Sequence, residues 1–125
     1  MLQHKHLLIR AEVSNPPKDE EYIKEWFKRL ISDIDMKLLR GPISAYVDVP
    51  GNKGLTCVAI IETSHIAMHV WDEEDPGLMQ LDVYTCGAFD PDRVFAAIQE
   101  FVPTKVDFKY LDREHEFQEL KNGRV

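Results

Sequence analysis

Cysteine is scarce in this chain. Cys57 and Cys86 are the only two in 125 residues, too few for a disulfide framework and in keeping with a reducing compartment. No apolar run approaches the roughly 20 residues that a membrane helix needs. The opening Met1-Leu2-Gln3-His4-Lys5-His6 lacks the hydrophobic stretch of a signal peptide. Cytoplasm is therefore expected, and a membrane partner is not. Basic residues are outnumbered, 15 Lys and Arg against 22 Asp and Glu, for a net charge of −7. Without a basic stripe, nucleic acid is excluded as the expected partner. An acidic balance is compatible with a cationic ligand, although most acidic surfaces are only solvated. Repeats, linkers and low-complexity segments are also missing. With 44% hydrophobic and 30% charged residues, residues 1–125 read as one domain with one core.

What is present is alternation. Leu7, Ile9, Ala11 and Val13 mark a first strand by their period of two. Ser14-Asn15-Pro16-Pro17 ends it, with Asn15 able to cap a helix and Pro16 suited to a first turn. Ile23, Trp26, Phe27, Leu30, Ile31 and Ile34 form a helical stripe to about residue 35. Ile43, Ala45, Val47 and Val49 alternate again, and Pro50-Gly51-Asn52-Lys53-Gly54 turns the chain. Residues 55–62 are almost wholly apolar, as in a buried central strand. Strands at 65–71 and 79–85 flank the turn signal Glu73-Glu74-Asp75-Pro76-Gly77. Asp90-Pro91 starts a second helix with Val94, Phe95, Ile98, Phe101 and Val102 on its stripe. A last strand carries Val106, Phe108 and Tyr110 on one face, and the polar tail 112–125 is expected to fray. The order β-α-β-β-β-β-α-β predicts an α+β two-layer sandwich, an antiparallel sheet with two helices packed on one face.

A hairpin centred on Asp75 would put Ser64 directly opposite Cys86, close enough for a thiol to serve a group at position 64. Cys57 reads as a small buried apolar residue. His65 and His69 could share a metal on a helix, but on a strand they stand about 13 Å apart, so no metal is expected. His4, His6 and His115 are expected at the surface.

The stretch Glu62-Thr63-Ser64-His65-Ile66-Ala67-Met68-His69-Val70-Trp71, with Thr85-Cys86-Gly87 further on, resembles the self-processing core of the small prokaryotic S-adenosylmethionine decarboxylases. That family reads roughly E-S-H-x-x-I-H-T-W-P-E, then D-[VL]-F-T-C-G. The resemblance implies cleavage between Thr63 and Ser64, with Ser64 becoming a covalent pyruvoyl group that takes the substrate amine as a Schiff base. His69 and Thr56 would promote processing, and Cys86 would donate the proton after CO₂ leaves. Trp71, Glu73 and His65 would contact S-adenosylmethionine, with Glu74 as an alternative to Glu73. The product would be the aminopropyl donor for spermidine. Here Thr63 stands for the family's glutamate, Thr56 for serine, Val70 for threonine and Asp72 for proline, with a slightly longer loop before the cysteine.

A chain reversal near Glu62-Thr63 would place Thr56 opposite His69. His69 nevertheless lies five residues from Ser64, about 16 Å along an extended strand. A two-fold homodimer would unite the Thr56/His69 pair of one protomer with the Ser64/Cys86 pair of the other, and the family builds its sites between protomers. Two alternatives remain: the same cofactor acting on arginine or ornithine, and an unprocessed homologue that binds a ligand or partner without chemistry.

Overall fold

The computed structural model describes residues 3–125. The elements run β1 (Lys5–Val13), α1 (Glu20–Asp33), β2 (Leu38–Val47), β3 (Gly54–Ile61), β4 (Ser64–Trp71), β5 (Gly77–Thr85), α2 (Pro91–Ala97), β6 (Pro103–Asp112) and β7 (Glu119–Arg124). A 3-10 turn, Ile98–Phe101, extends α2. The seven strands form one sheet in the order β2-β3-β4-β5-β1-β6-β7, and each neighbouring pair is antiparallel. The two helices cover one face. The α+β sandwich expected from the sequence is the architecture observed.

Helix α1 begins where Asp19 accepts the N–H groups of Glu21 and Tyr22 at 2.8 and 3.1 Å, and Glu20 and Glu21 complement the helix dipole. The expected Asn15 cap is not formed. Pro16 and Pro17 hold the preceding backbone extended, and Asn15 instead bonds Phe101 and Glu100 through its backbone N–H and side chain. Ile23, Trp26, Phe27, Leu30 and Ile31 bury the stripe of α1 against the sheet, as their spacing dictates. Trp26 also joins the helices, stacking at 5.1 Å from Phe101 and donating its indole N–H to the Ala97 carbonyl. Helix α2 starts at Asp90-Pro91, with Asp90 accepting the Asp92 N–H.

Three strands depart from expectation. Strand β3, expected to be buried, covers only alternate residues and leaves Val58 and Ile60 exposed. In β2 the alternation is real but faces outward: Ile43 is 66% exposed, and Val49 lies beyond the strand. The polar tail is not frayed at 119–124, where β7 pairs with β6. All six β7 residues are exposed, so backbone bonds and the Arg124–Asp107 ion pair at 2.9 Å hold it. No apolar pattern could have announced it.

Candidate active site

Strands β3 and β4 are joined by Glu62 and Thr63 alone, since Ile61 already pairs with Ser64. Ser64, first in β4, takes φ of +142°, a region that a side chain makes costly and that glycine normally occupies. The turn is pinned from both sides. The Glu62 N–H donates to the Lys37 carbonyl, and the Thr63 carbonyl accepts the Cys86 N–H at 2.7 Å. The Thr63 hydroxyl points to the Met36 sulfur at 3.0 Å. Behind it, the fully buried Thr85 hydroxyl accepts the Gly87 N–H at 2.9 Å, shaping the bend that carries Cys86. Cys86 is half-buried and free, whereas Cys57 is fully buried, and burial pushes the Cys57 thiol up to about 12.

The pairing differs from the expected one by a residue. Ser64 faces Thr85, not Cys86, and Trp71 faces Leu78. Six residues separate that last pair, so the hairpin has no central residue such as Asp75. Cys86 still meets the serine turn, one step past the ladder, through its backbone.

Thr56 and His69 do pair across β3 and β4, and Thr56 Oγ1 lies 3.2 Å from His69 Nδ1. They sit on the sheet face that the helices leave open. Ser64 and His69 are the first and sixth residues of one regular strand, about 16 Å apart; a single chain does not bring them together. On the β2–β3 side of the pair the open face carries the apolar Ile43, Val58 and Ile60, 66%, 41% and 52% exposed, while His69 faces Gln80 on the β5 side.

Beyond β4, Trp71, Glu73 and Glu74 line a groove with Lys53 and Leu78. The Trp71 indole donates to Asn52 Oδ1 at 3.1 Å, and Glu73 Oε1 accepts the Lys53 N–H at 3.1 Å. Asp72 is engaged elsewhere: the Tyr46 hydroxyl donates to its carboxylate at 2.8 and 3.0 Å. That bond, with burial behind it, raises the Tyr46 phenol to about 12.

At the other end of β4, His65 meets residues that the sequence did not single out for the site. His65 Nε2 and His6 Nε2 each lie 3.0 Å from the same Asp82 oxygen. Arg113 reaches His6 Nδ1 at 3.1 Å and covers the Tyr84 ring at 4.0 Å. His6 is thus a well-enclosed partner rather than the free surface residue expected, while His115 is exposed. The signal was the pairing of β5 with β1, strands too far apart in sequence for a hairpin rule to find.

A single antiparallel sheet backed by two helices, with a strained strand-end serine whose preceding carbonyl is gripped by a cysteine amide, defines a compact class of α+β protein. Comparison with known proteins gives that class its family. The S-adenosylmethionine decarboxylase family model matches residues 5–114, and the chain belongs to that family. An S-adenosylmethionine decarboxylase proenzyme of Clostridium botulinum (strain Hall) is 30% identical over 98 residues, 77% of this chain and 79% of its own length. Another, from Pyrobaculum arsenaticum, is 44% identical over 64 residues, 50% of each chain. The match thus spans about half the length of the first curated relatives. The crystal structure of the adenosylmethionine decarboxylase from Aquifex aeolicus superposes with a TM-score of 0.67 at 26% identity, covering 94% of this chain and 98% of that one.

Proposed function

We propose that this protein cuts itself between Thr63 and Ser64 and then decarboxylates S-adenosylmethionine, using a pyruvoyl group made from Ser64. The observation that carries the reading is the Ser64 turn: φ of +142° at the serine and an N–H donor 2.7 Å from the preceding carbonyl oxygen. Strain in the intact chain is relieved when the turn opens. A fixed donor at that oxygen stabilises the charge that develops there on attack.

Ser64 Oγ attacks the Thr63 carbonyl carbon, the C–N bond breaks, and the hydroxyl proton passes to the Ser64 nitrogen, leaving an ester. His69 then removes the Ser64 Cα proton and the ester C–O bond breaks, so residues 1–63 leave as a carboxylate. The dehydroalanine that remains becomes an imine, and water releases ammonia to leave the carbonyl. His69 must come from a second copy of the chain, given its distance from its own Ser64. The open sheet face supports this, because the exposed apolar Ile43, Val58 and Ile60 lie on the β2–β3 side of it and would be covered by packing two such faces together. With Nδ1–H donating to the Thr56 hydroxyl, the lone pair of His69 Nε2 is free to take the proton.

The residues around position 64 fit the pyruvoyl group: a hydroxyl to make it, a fixed amide at the bond to be cut, and a half-buried cysteine one residue past the partner of Ser64. The group supplies an electron sink for the charge left when CO₂ departs. Cys86 returns a proton to the substrate α-carbon as general acid. Trp71, two residues beyond His69 on β4, would come from the second copy with it and offer an aromatic face to a cationic sulfonium substrate, and Glu73 or Glu74 of that copy would accept hydroxyl donors of its sugar. The product is the aminopropyl donor used to make spermidine.

The test is CO₂ release from carboxyl-labelled S-adenosylmethionine, with arginine and ornithine run in parallel. Release from S-adenosylmethionine alone, abolished in Ser64→Ala, is expected. Release from arginine or ornithine alone would replace the substrate, and release unaffected by Ser64→Ala would overturn the reading.

A further inference from the structure

Cutting between Thr63 and Ser64 would leave position 64 as the end of a chain that begins a strand. Such ends fray unless tied down. The pairing of Ser64 with Ile61 would then join separate fragments, and the covalent turn would be gone. His65, the next residue, carries a side-chain anchor. Its Nε2 lies 3.0 Å from Asp82 Oδ1 on β5, and the same oxygen lies 3.0 Å from His6 Nε2 on β1. Strand β1 belongs to the 1–63 fragment, so the chain of bonds crosses the cut.

The proton positions follow from the arginine. A guanidinium only donates, so His6 Nδ1, 3.1 Å from Arg113 Nη1, accepts, and His6 Nε2–H donates to Asp82. The Tyr84 ring completes a triangle with the two imidazoles, 5.2 Å from His6 and 5.6 Å from His65, which are 6.1 Å from each other. Arg113 stacks on that ring at 4.0 Å. The three ligand atoms of His6, His65 and Asp82 lie within 4.8 Å of one another, a spacing that could hold a metal ion. A metal needs the Nε2 lone pair, and Arg113 sets the tautomer that puts a proton there. The geometry is that of a hydrogen-bonded tether.

We infer that His65, Asp82 and His6 hold the residue-64 end of β4 in register after self-cleavage, and so act as positioning residues for the carbonyl formed there. This rests on the self-processing reading above. A reactive carbonyl displaced by even 1 Å can lose on the order of 100-fold in rate. The tether therefore bears on turnover once the chain is cut, and little on the uncut chain, where the turn itself fixes Ser64.

The experiment uses His65→Ala, His65→Gln and Asp82→Ala in the full chain. Cleavage is scored by intact mass, and carbonyl content by phenylhydrazine labelling. Per carbonyl, His65→Ala and Asp82→Ala should lose about 10- to 100-fold in kcat with KM little changed. His65→Gln, which keeps a donor at similar reach, should recover most of the loss. Melting temperature supplies the second measurement: Asp82→Ala should lower it more in the cut protein than in an uncut Ser64→Ala background. Wild-type kcat per carbonyl in cut His65→Ala and Asp82→Ala would overturn the tether, as would equal melting losses in cut and uncut protein. A wild-type chain that never cuts would overturn both this inference and the processing reading.

Discussion

The Cys86 N–H donates to the carbonyl oxygen of Thr63 at 2.7 Å. The residue whose thiol is proposed for the later chemistry thus holds, through its backbone, the bond proposed to be cut first. Its placement depends on the buried hydroxyl of Thr85, which accepts the Gly87 N–H and folds the end of β5.

Thr85→Val removes that hydroxyl at nearly constant volume and frees the Cys86 bend. Self-cleavage should slow at least about 10-fold, a part of the 10²- to 10³-fold attached to a lost oxyanion donor. Thr85→Ser should stay close to wild type. A time course of fragment formation on a denaturing gel measures both, and equal rates for all three would separate Thr85 from the turn.

Backbone strain at Ser64 gives a stability prediction. Ser64→Ala and Ser64→Gly both lack the nucleophile and should stay uncut, but only glycine accepts φ of +142° without strain. Ser64→Gly should be more stable than Ser64→Ala by about 1 kcal/mol or more in chemical denaturation. Equal stability would mean the turn is not strained.

Much of this arrangement was legible in the residues, and the parts that were not have physical reasons. A continuous apolar run located β3, the turn signal at 73–77 located β4 and β5 on either side of it, and the reversal at Glu62-Thr63 correctly paired Thr56 with His69. The β4–β5 pairing was read one residue out because a turn signal marks a loop without fixing whether its length is odd or even. The outward apolar face of β2 was hidden because alternation identifies two faces without naming the covered one. Strand β7 left no trace, since its pairing with β6 buries no side chain. The tether at His65 depends on β5 lying beside β1, a contact that only the complete sheet creates.

The two thiols should behave differently. Burial raises Cys57 to about 12, which keeps it protonated and unreactive in the native state. Its contribution to stability is fully present below the unfolded cysteine value and is lost as pH rises toward about 12. Titration with a thiol reagent at pH 8 should therefore find one thiol in native protein and two after denaturation. Cys86→Ala should remove the native signal, cut itself at a similar or reduced rate, and lose about 10²-fold or more in turnover. A native signal that survives Cys86→Ala would contradict these assignments.

The proposed sharing of the site between two copies predicts complementation. Ser64→Ala and His69→Ala chains, each uncut alone, should yield cleaved His69→Ala chains when co-expressed, because the mixed pair brings an intact Ser64 to an intact His69. Mass spectrometry identifies which chain is cut. A protein that is monomeric at assay concentration and still cleaves would sink this arrangement.

The most direct test of self-processing is the intact mass of freshly purified protein, followed over time without substrate. The account predicts two fragments, residues 1–63 and 64–125, the second beginning with a carbonyl that blocks amino-terminal sequencing and reacts with phenylhydrazine. A single full-length mass that persists through long incubation, with Ser64 intact, would contradict it.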